Sequence, residues 1–71
     1  MMIRVDPSSN VPVFQQVVNE VKSAIARGAI MPGEVIPSVR QMAADTLLNP
    51  NTVAKAYREL EREGIVYTRR G

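Results

Sequence analysis

The stretch Ser38-Val39-Arg40-Gln41-Met42-Ala43-Ala44-Asp45-Thr46-Leu47-Leu48-Asn49-Pro50-Asn51-Thr52-Val53-Ala54-Lys55-Ala56-Tyr57-Arg58-Glu59-Leu60 carries two helix-start signals with an interruption between them. A serine at position 38 can accept from an N–H two or three residues on, and Gln41 can reach back to the Ser38 N–H, the two halves of a capping box. Pro37 disfavours helical geometry at Ile36, so a helix starts near Ser38. Val39, Met42, Ala43 and Leu47 are its expected buried face. The pattern then breaks at Leu47-Leu48-Asn49-Pro50. Asn49 is a strong N-cap residue, and Pro50 suits the first helical position, where its missing N–H would lack a partner anyway. Val53, Ala56, Tyr57 and Leu60 recur at i, i+3, i+4 and i+7, and Gly64 stops the helix. Two helices joined by a turn of roughly three or four residues form a helix-turn-helix, here spanning about 38–63.

Upstream, Met1 to Asp6 reads as extended, and Asp6-Pro7-Ser8-Ser9-Asn10 is a dense cluster of turn residues. Pro12 opens a further helix. Phe14, Val17, Val18, Val21 and Ile25 line one face of it, Arg27 stands in the last turn and Gly28 closes it. Its β-branched valines lower intrinsic propensity, so this helix depends on packing. Pro32-Gly33 marks a turn before Ser38. Downstream, Ile65-Val66-Tyr67-Thr68 is rich in strand formers, and Arg69-Arg70-Gly71 looks like the start of a tight basic turn. The expected fold class is mainly α with a small β-wing: three helices and a short hairpin whose returning strand the sequence does not supply, one domain over residues 1–71. The chain reads as an excised fragment.

The 71 residues include neither Cys nor His. That excludes a disulfide framework, a thiolate nucleophile and a Cys-based zinc site. It also removes the commonest metal ligand and the side chain best suited to proton transfer near neutral pH. Glu59, Glu61 and Glu63 follow each other at i+2, which splays neighbours around a helix instead of pairing them for acid/base work. There is no glycine-rich phosphate loop. No enzyme activity and no cofactor are expected. The apolar runs fall far short of the ~20 residues that cross a bilayer, and no secretory leader opens the chain, so a cytoplasmic protein without membrane association is expected.

Net charge is +2, and its placement says more than its size. Residues 1–37 balance Arg4, Lys22 and Arg27 against Asp6, Glu20 and Glu34. The excess lies in residues 38–71, where Arg40, Lys55, Arg58, Arg62, Arg69 and Arg70 face Asp45, Glu59, Glu61 and Glu63. On a helical wheel Asn51, Lys55, Arg58 and Arg62 fall together at about 140° to 200° from Val53, opposite the apolar face. A solvated face is one reading of such a stripe. The other follows from its position: the second helix of a helix-turn-helix enters the major groove of DNA. Asn49, Asn51, Thr52 and Lys55 are of the types that read base edges, while Arg58 and Arg62, further along, suit phosphates. Asn49 also serves as a cap, and Thr52 could simply face solvent. Asn51 and Lys55 have no evident structural task. Arg40 cannot pair well with Asp45 at i+5, which leaves a phosphate or base contact. Ser38 sits where free N–H groups at a helix start could meet a phosphate. Arg69, Arg70 and Gly71 would put two guanidinium groups and a flexible backbone beside a duplex, or else form an ordinary solubilising turn.

Gly28-Ala29-Ile30-Met31-Pro32-Gly33-Glu34-Val35-Ile36-Pro37-Ser38-Val39-Arg40-Gln41-Met42-Ala43, followed by Asn49-Pro50-Asn51-Thr52-Val53 and Glu63-Gly64, resembles the GntR family of bacterial transcription regulators. The run from Asn49 to Glu61 is most similar to the YtrA-type subfamily. The resemblance implies a winged helix-turn-helix that binds a palindromic operator as a homodimer and usually represses transcription. It further implies a C-terminal region for dimerisation and a small-molecule effector, and a second wing strand, neither contained in this sequence. Family DNA contacts fall here on Arg40, on Asn49, Asn51 and Thr52, and on Arg70 and Gly71. Many members carry arginine where this chain has Pro50 and Ala54, so those base contacts do not carry over; Lys55, beside Ala54, is the candidate substitute. The alternative to DNA binding is a winged-helix module for protein–protein association. The amide and cationic stripe argues against it, because interface cores favour aromatic residues and Met.

Overall fold

The apolar repeat at Val53, Ala56, Tyr57 and Leu60 organises the molecule. In the computed structural model, which describes residues 3–31 and 35–66, these residues line the buried face of the last of three helices: α1 (Val13–Ala26), α2 (Val39–Thr46) and α3 (Pro50–Arg62). Packing against both α1 and α2, α3 is the central element. Val17, Val18 and Val21 of α1 and Met42 and Ala43 of α2 complete the core, and Val66 closes it from beyond α3. The Tyr57 hydroxyl aside, no polar or charged side chain among the described residues is buried, so apolar contact supplies most of the cohesion. Ile3 and Val5 pack against this core from the N-terminal segment.

α1 begins without a side-chain cap at Pro12. The amide of Gln16 takes over. It accepts from the Asp6 N–H at 2.7 Å and donates to the carbonyls of Asp6 and Val11 at 2.9 and 2.8 Å, strapping the 6–11 turn onto the helix. The turn itself is closed by Asp6, whose carboxylate accepts from the backbone N–H and hydroxyl of Ser8. Those two bonds hold the Asp6 carboxyl below its usual pKa. Arg27 is the C-cap, one position beyond the expected last turn.

All three helices described end the same way. A residue with positive φ stands just past the end (Gly28 at 79°, Leu47 at 57°, Gly64 at 73°), and the next N–H turns back to the carbonyl five residues earlier. These bonds are Ala29 to Ala24 at 2.8 Å, Leu48 to Ala43 at 3.0 Å and Ile65 to Leu60 at 2.9 Å. This is the Schellman closure, which favours glycine because a Cβ crowds the backbone there. Leu47 is therefore not part of the buried face expected of it. The α2 repeat stops at Thr46, the backbone reverses its φ, and the Leu47 side chain swings out to 92% exposure while Leu48 packs on the core. The capping box of α2 is half formed. Ser38 Oγ accepts from the Gln41 N–H at 3.1 Å, but the Gln41 side chain turns the other way and donates to Asp45 at 2.7 Å, its i+4 neighbour.

The expected turn at Pro32-Gly33 and the wing from Tyr67 through Arg69, Arg70 and Gly71 lie outside the described residues. Ile65 and Val66 are not in a strand, and no strand occurs among the described residues. At the end of α3, Glu63 is bridged by Lys22 of α1 at 2.7 Å, and that hydrogen bond holds its carboxyl below the ordinary 4.5.

Two outcomes test this account. Leu47→Gly should raise unfolding stability by about 0.5–1 kcal/mol in a urea titration, since relief of the left-handed strain outweighs the added chain entropy; a lower midpoint would mean that no strain is stored there. Because the folded Glu63 carboxyl titrates low, its bridge contributes above 4.5 and is lost as pH falls through the depressed value. Lys22→Met should therefore melt below the native chain near neutrality, and the gap should close in acid; a gap independent of pH would assign the loss to packing by the lysine stem.

Candidate nucleic-acid interface

The start of α3 is built by Asn49. Its backbone is extended (φ −64°, ψ 130°), and its side-chain oxygen accepts from the Asn51 N–H at 2.8 Å. Its carbonyl takes the N–H groups of Thr52 and Val53 at 3.0 and 3.2 Å, and Pro50 fills the first helical position. Asn49 is thus a cap in fact, with its side-chain oxygen occupied. The Asn51 side chain, two residues further on, is exposed and has no hydrogen-bond partner among the described residues. Thr52 is half-buried.

The stripe opposite the core divides into held and unheld cations. Lys55, which showed no structural task in the sequence, places Nζ 4.1 Å from the centre of the Phe14 ring. That cation–π contact ties α3 to the first turn of α1. Arg62 donates through Nε to Glu59 at 2.8 Å and bridges the same carboxylate through Nη2, a pairing that raises its already high pKa. Arg58 is exposed and has no charged or hydrogen-bonded partner among the described residues.

Arg40, in the first turn of α2, is likewise exposed and without an ion pair among the described residues. Asp45, the acid nearest to it on that helix, already accepts from Gln41. Ser38 caps α2 and is exposed, so its helix start remains open to solvent. The start of α2 is tied to the body of α3 from below. Tyr57, a residue only 3% exposed, donates its hydroxyl to the carbonyl of Pro37 at 2.6 Å. Its periodic position marked it as core; nothing in a single sequence announces where a buried hydroxyl will point. Burial pushes the Tyr57 phenol up to about 12.

Residues 38–62 thus bring Ser38 and Arg40 on one helix start and Asn49, Asn51 and Thr52 on another into one helix-turn-helix, with Arg58, unpaired among the described residues, further along α3. Among the described residues no group of three or more acids could hold a metal ion, and no helix is long and apolar enough to cross a membrane.

Residues 14–71 match the family model for bacterial regulatory proteins of the gntR family. Over 70 residues the chain is 49% identical to the HTH-type transcriptional repressor YtrA of Bacillus subtilis, covering 99% of this chain and 54% of that protein. A transcriptional antiterminator from Listeria monocytogenes EGD-e superposes with a TM-score of 0.96 at 38% identity, over 100% of this chain and 53% of that one. YtrA from Sulfolobus acidocaldarius, a GntR-family transcription factor, superposes with a TM-score of 0.93 at 33% identity, over 99% and 74% of the two chains. The chain belongs to the gntR family of bacterial regulatory proteins and is closely related to its YtrA members. It spans about half the length of that Bacillus subtilis repressor and 52% of a second Bacillus subtilis regulator, YhcF, to which it is 44% identical over 63 residues.

Ser38→Ala should lower stability by about 1 kcal/mol through the lost cap on α2. Thermal melting read at the helical circular-dichroism band checks this, and an unchanged midpoint would mean that the Ser38–Gln41 bond contributes nothing.

Proposed function

We propose that these residues form the sequence-specific, double-stranded DNA-binding unit of a transcription regulator that represses its target. α3 lies in the major groove with Asn51 at the base edges, and Asn49 and Thr52 beside it at the helix start. Arg40 and the helix start at Ser38 meet phosphate on one flank, and Arg58 meets it on the other. Lys55 and Arg62 contribute positive potential from positions already shared with Phe14 and Glu59. The segment after Val66, with Arg69, Arg70 and Gly71, serves as a wing on the adjacent backbone or minor groove. The whole protein acts as a homodimer on a palindromic operator, and residues 1–71 constitute one DNA-binding domain of it.

One observation carries this reading: the apolar face of α3 is consumed by the core, which leaves Asn51 and Arg58 exposed on the second helix of a helix-turn-helix. Relatives named as a transcriptional repressor and a transcription factor support the same assignment. Short amide side chains at the tip of a groove-bound helix can pair with adenine, and arginine further along neutralises phosphate.

Selection from random duplexes should return two half-sites about 10–10.5 base pairs apart or a multiple of that, the spacing of a symmetric dimer. Binding should fall with salt at a slope near −0.9 per phosphate neutralised. Salt-indifferent association would favour a protein partner instead. Asn51→Ala should cost about 1–3 kcal/mol and relax preference at one base pair. Arg58→Ala should weaken all sequences alike and flatten the salt slope by about one unit, with Arg62→Ala doing less because Glu59 already holds that guanidinium. The reverse order for the two arginines would overturn this placement of α3.

A further inference from the structure

The side chains assigned above to DNA stand on two helices, so recognition depends on how firmly those helix starts are registered. Arg40 lies in the first turn of α2 and Asn51 in the first turn of α3. Apolar packing is non-directional and fixes such spacing loosely. A short hydrogen bond to a carbonyl is directional. The Tyr57 hydroxyl makes such a bond: rising from the buried face of α3, it donates to Pro37 O at 2.6 Å, immediately before the Ser38 cap and three residues before Arg40. With its phenol pushed up to about 12, Tyr57 remains a donor throughout the range in which DNA is duplex.

We propose that the Tyr57 hydroxyl is a positioning group for DNA recognition, registering the start of α2, and with it Arg40, against α3. The inference rests on the reading of these two helices as the DNA-binding pair and deepens it. Tyr57 touches no DNA itself, being buried on the face of α3 away from Asn51 and Arg58. Its bond is present in the free protein, so it acts through pre-organisation. Without it the start of α2 samples other positions, and apparent affinity falls by the fraction of molecules in which Arg40 no longer stands in the competent place.

Tyr57→Phe removes one oxygen and keeps the ring. The native chain, Tyr57→Phe, Arg40→Ala and the double variant are titrated by fluorescence anisotropy against a duplex recovered from random pools with the native chain. Circular dichroism at the assay temperature checks that the helices are intact, and a lower temperature is used for any variant that has begun to melt. Tyr57→Phe should weaken binding about three- to tenfold, the size expected of one net hydrogen bond. Arg40→Ala should weaken it as well, and Tyr57→Phe should cost a smaller factor in the Arg40→Ala background than in the native chain, since only the Ser38 helix start is then left to misplace. Lys22→Met is the stability control, with a lowered melting temperature and native affinity. Native affinity in Tyr57→Phe, or the same fractional loss with and without Arg40, overturns the positioning role and leaves the DNA reading intact. Absence of duplex binding by the native chain, or native affinity in Arg40→Ala, overturns the reading at Arg40 and the inference with it.

Discussion

One helix carries two obligations, and the rest of the structure follows from their conflict. α3 must bury Val53, Ala56, Tyr57 and Leu60 to hold the other two helices, and those four residues occupy a single face. Full burial of a side chain such as Val53 or Leu60 stabilises by about 1.5–3 kcal/mol, against which rotation of the helix about its axis would be prohibitive. The opposite face is therefore fixed in direction by the core, and only there can polar side chains be presented without desolvation. The orientation of Asn51 and Arg58 is a by-product of where the valines of α1 sit.

Electrostatics refine this arrangement at the periphery. No charged side chain among the described residues is buried, so no ion pair had to offset a heavy desolvation cost. The exposed pairs instead sort the cations. Lys22 is committed to Glu63, Arg62 to Glu59 and Lys55 to the Phe14 ring, while Arg40 and Arg58 keep no internal partner among the described residues. A stripe that looks uniform on a helical wheel thus divides into side chains whose conformation is already constrained and side chains available to an incoming anion.

The parts of this division that depend on local chemistry were legible in the sequence, and the parts that depend on distant neighbours were not. The caps at Ser38 and Asn49, the stops at Gly28 and Gly64 and the seam of α3 each follow from residues within one or two turns of one another. Leu47 falls on the apolar repeat yet stands outside the core, because helical periodicity carries on past a helix end that has no glycine to mark it. The Gln41 side chain had two partners at suitable spacing, and a sequence does not rank Asp45 above the Ser38 N–H. The Phe14–Lys55 contact joins residues 41 apart and the Tyr57–Pro37 bond residues 20 apart, so both emerge only once the helices are packed.

The weak link in the chain's own propensities is α1, whose buried face is valine upon valine and whose start has no side-chain cap. It coils because α3 offers it a hydrophobic bed, because Gln16 straps its first turn to the preceding segment and because Lys22, further along, bridges to Glu63. For protein engineering this has a practical meaning. Grafting residues 38–63 alone onto a foreign scaffold would strip α3 of its packing against α1, so the unit of transplantation is the trio of helices, with the N-terminal strap still attached.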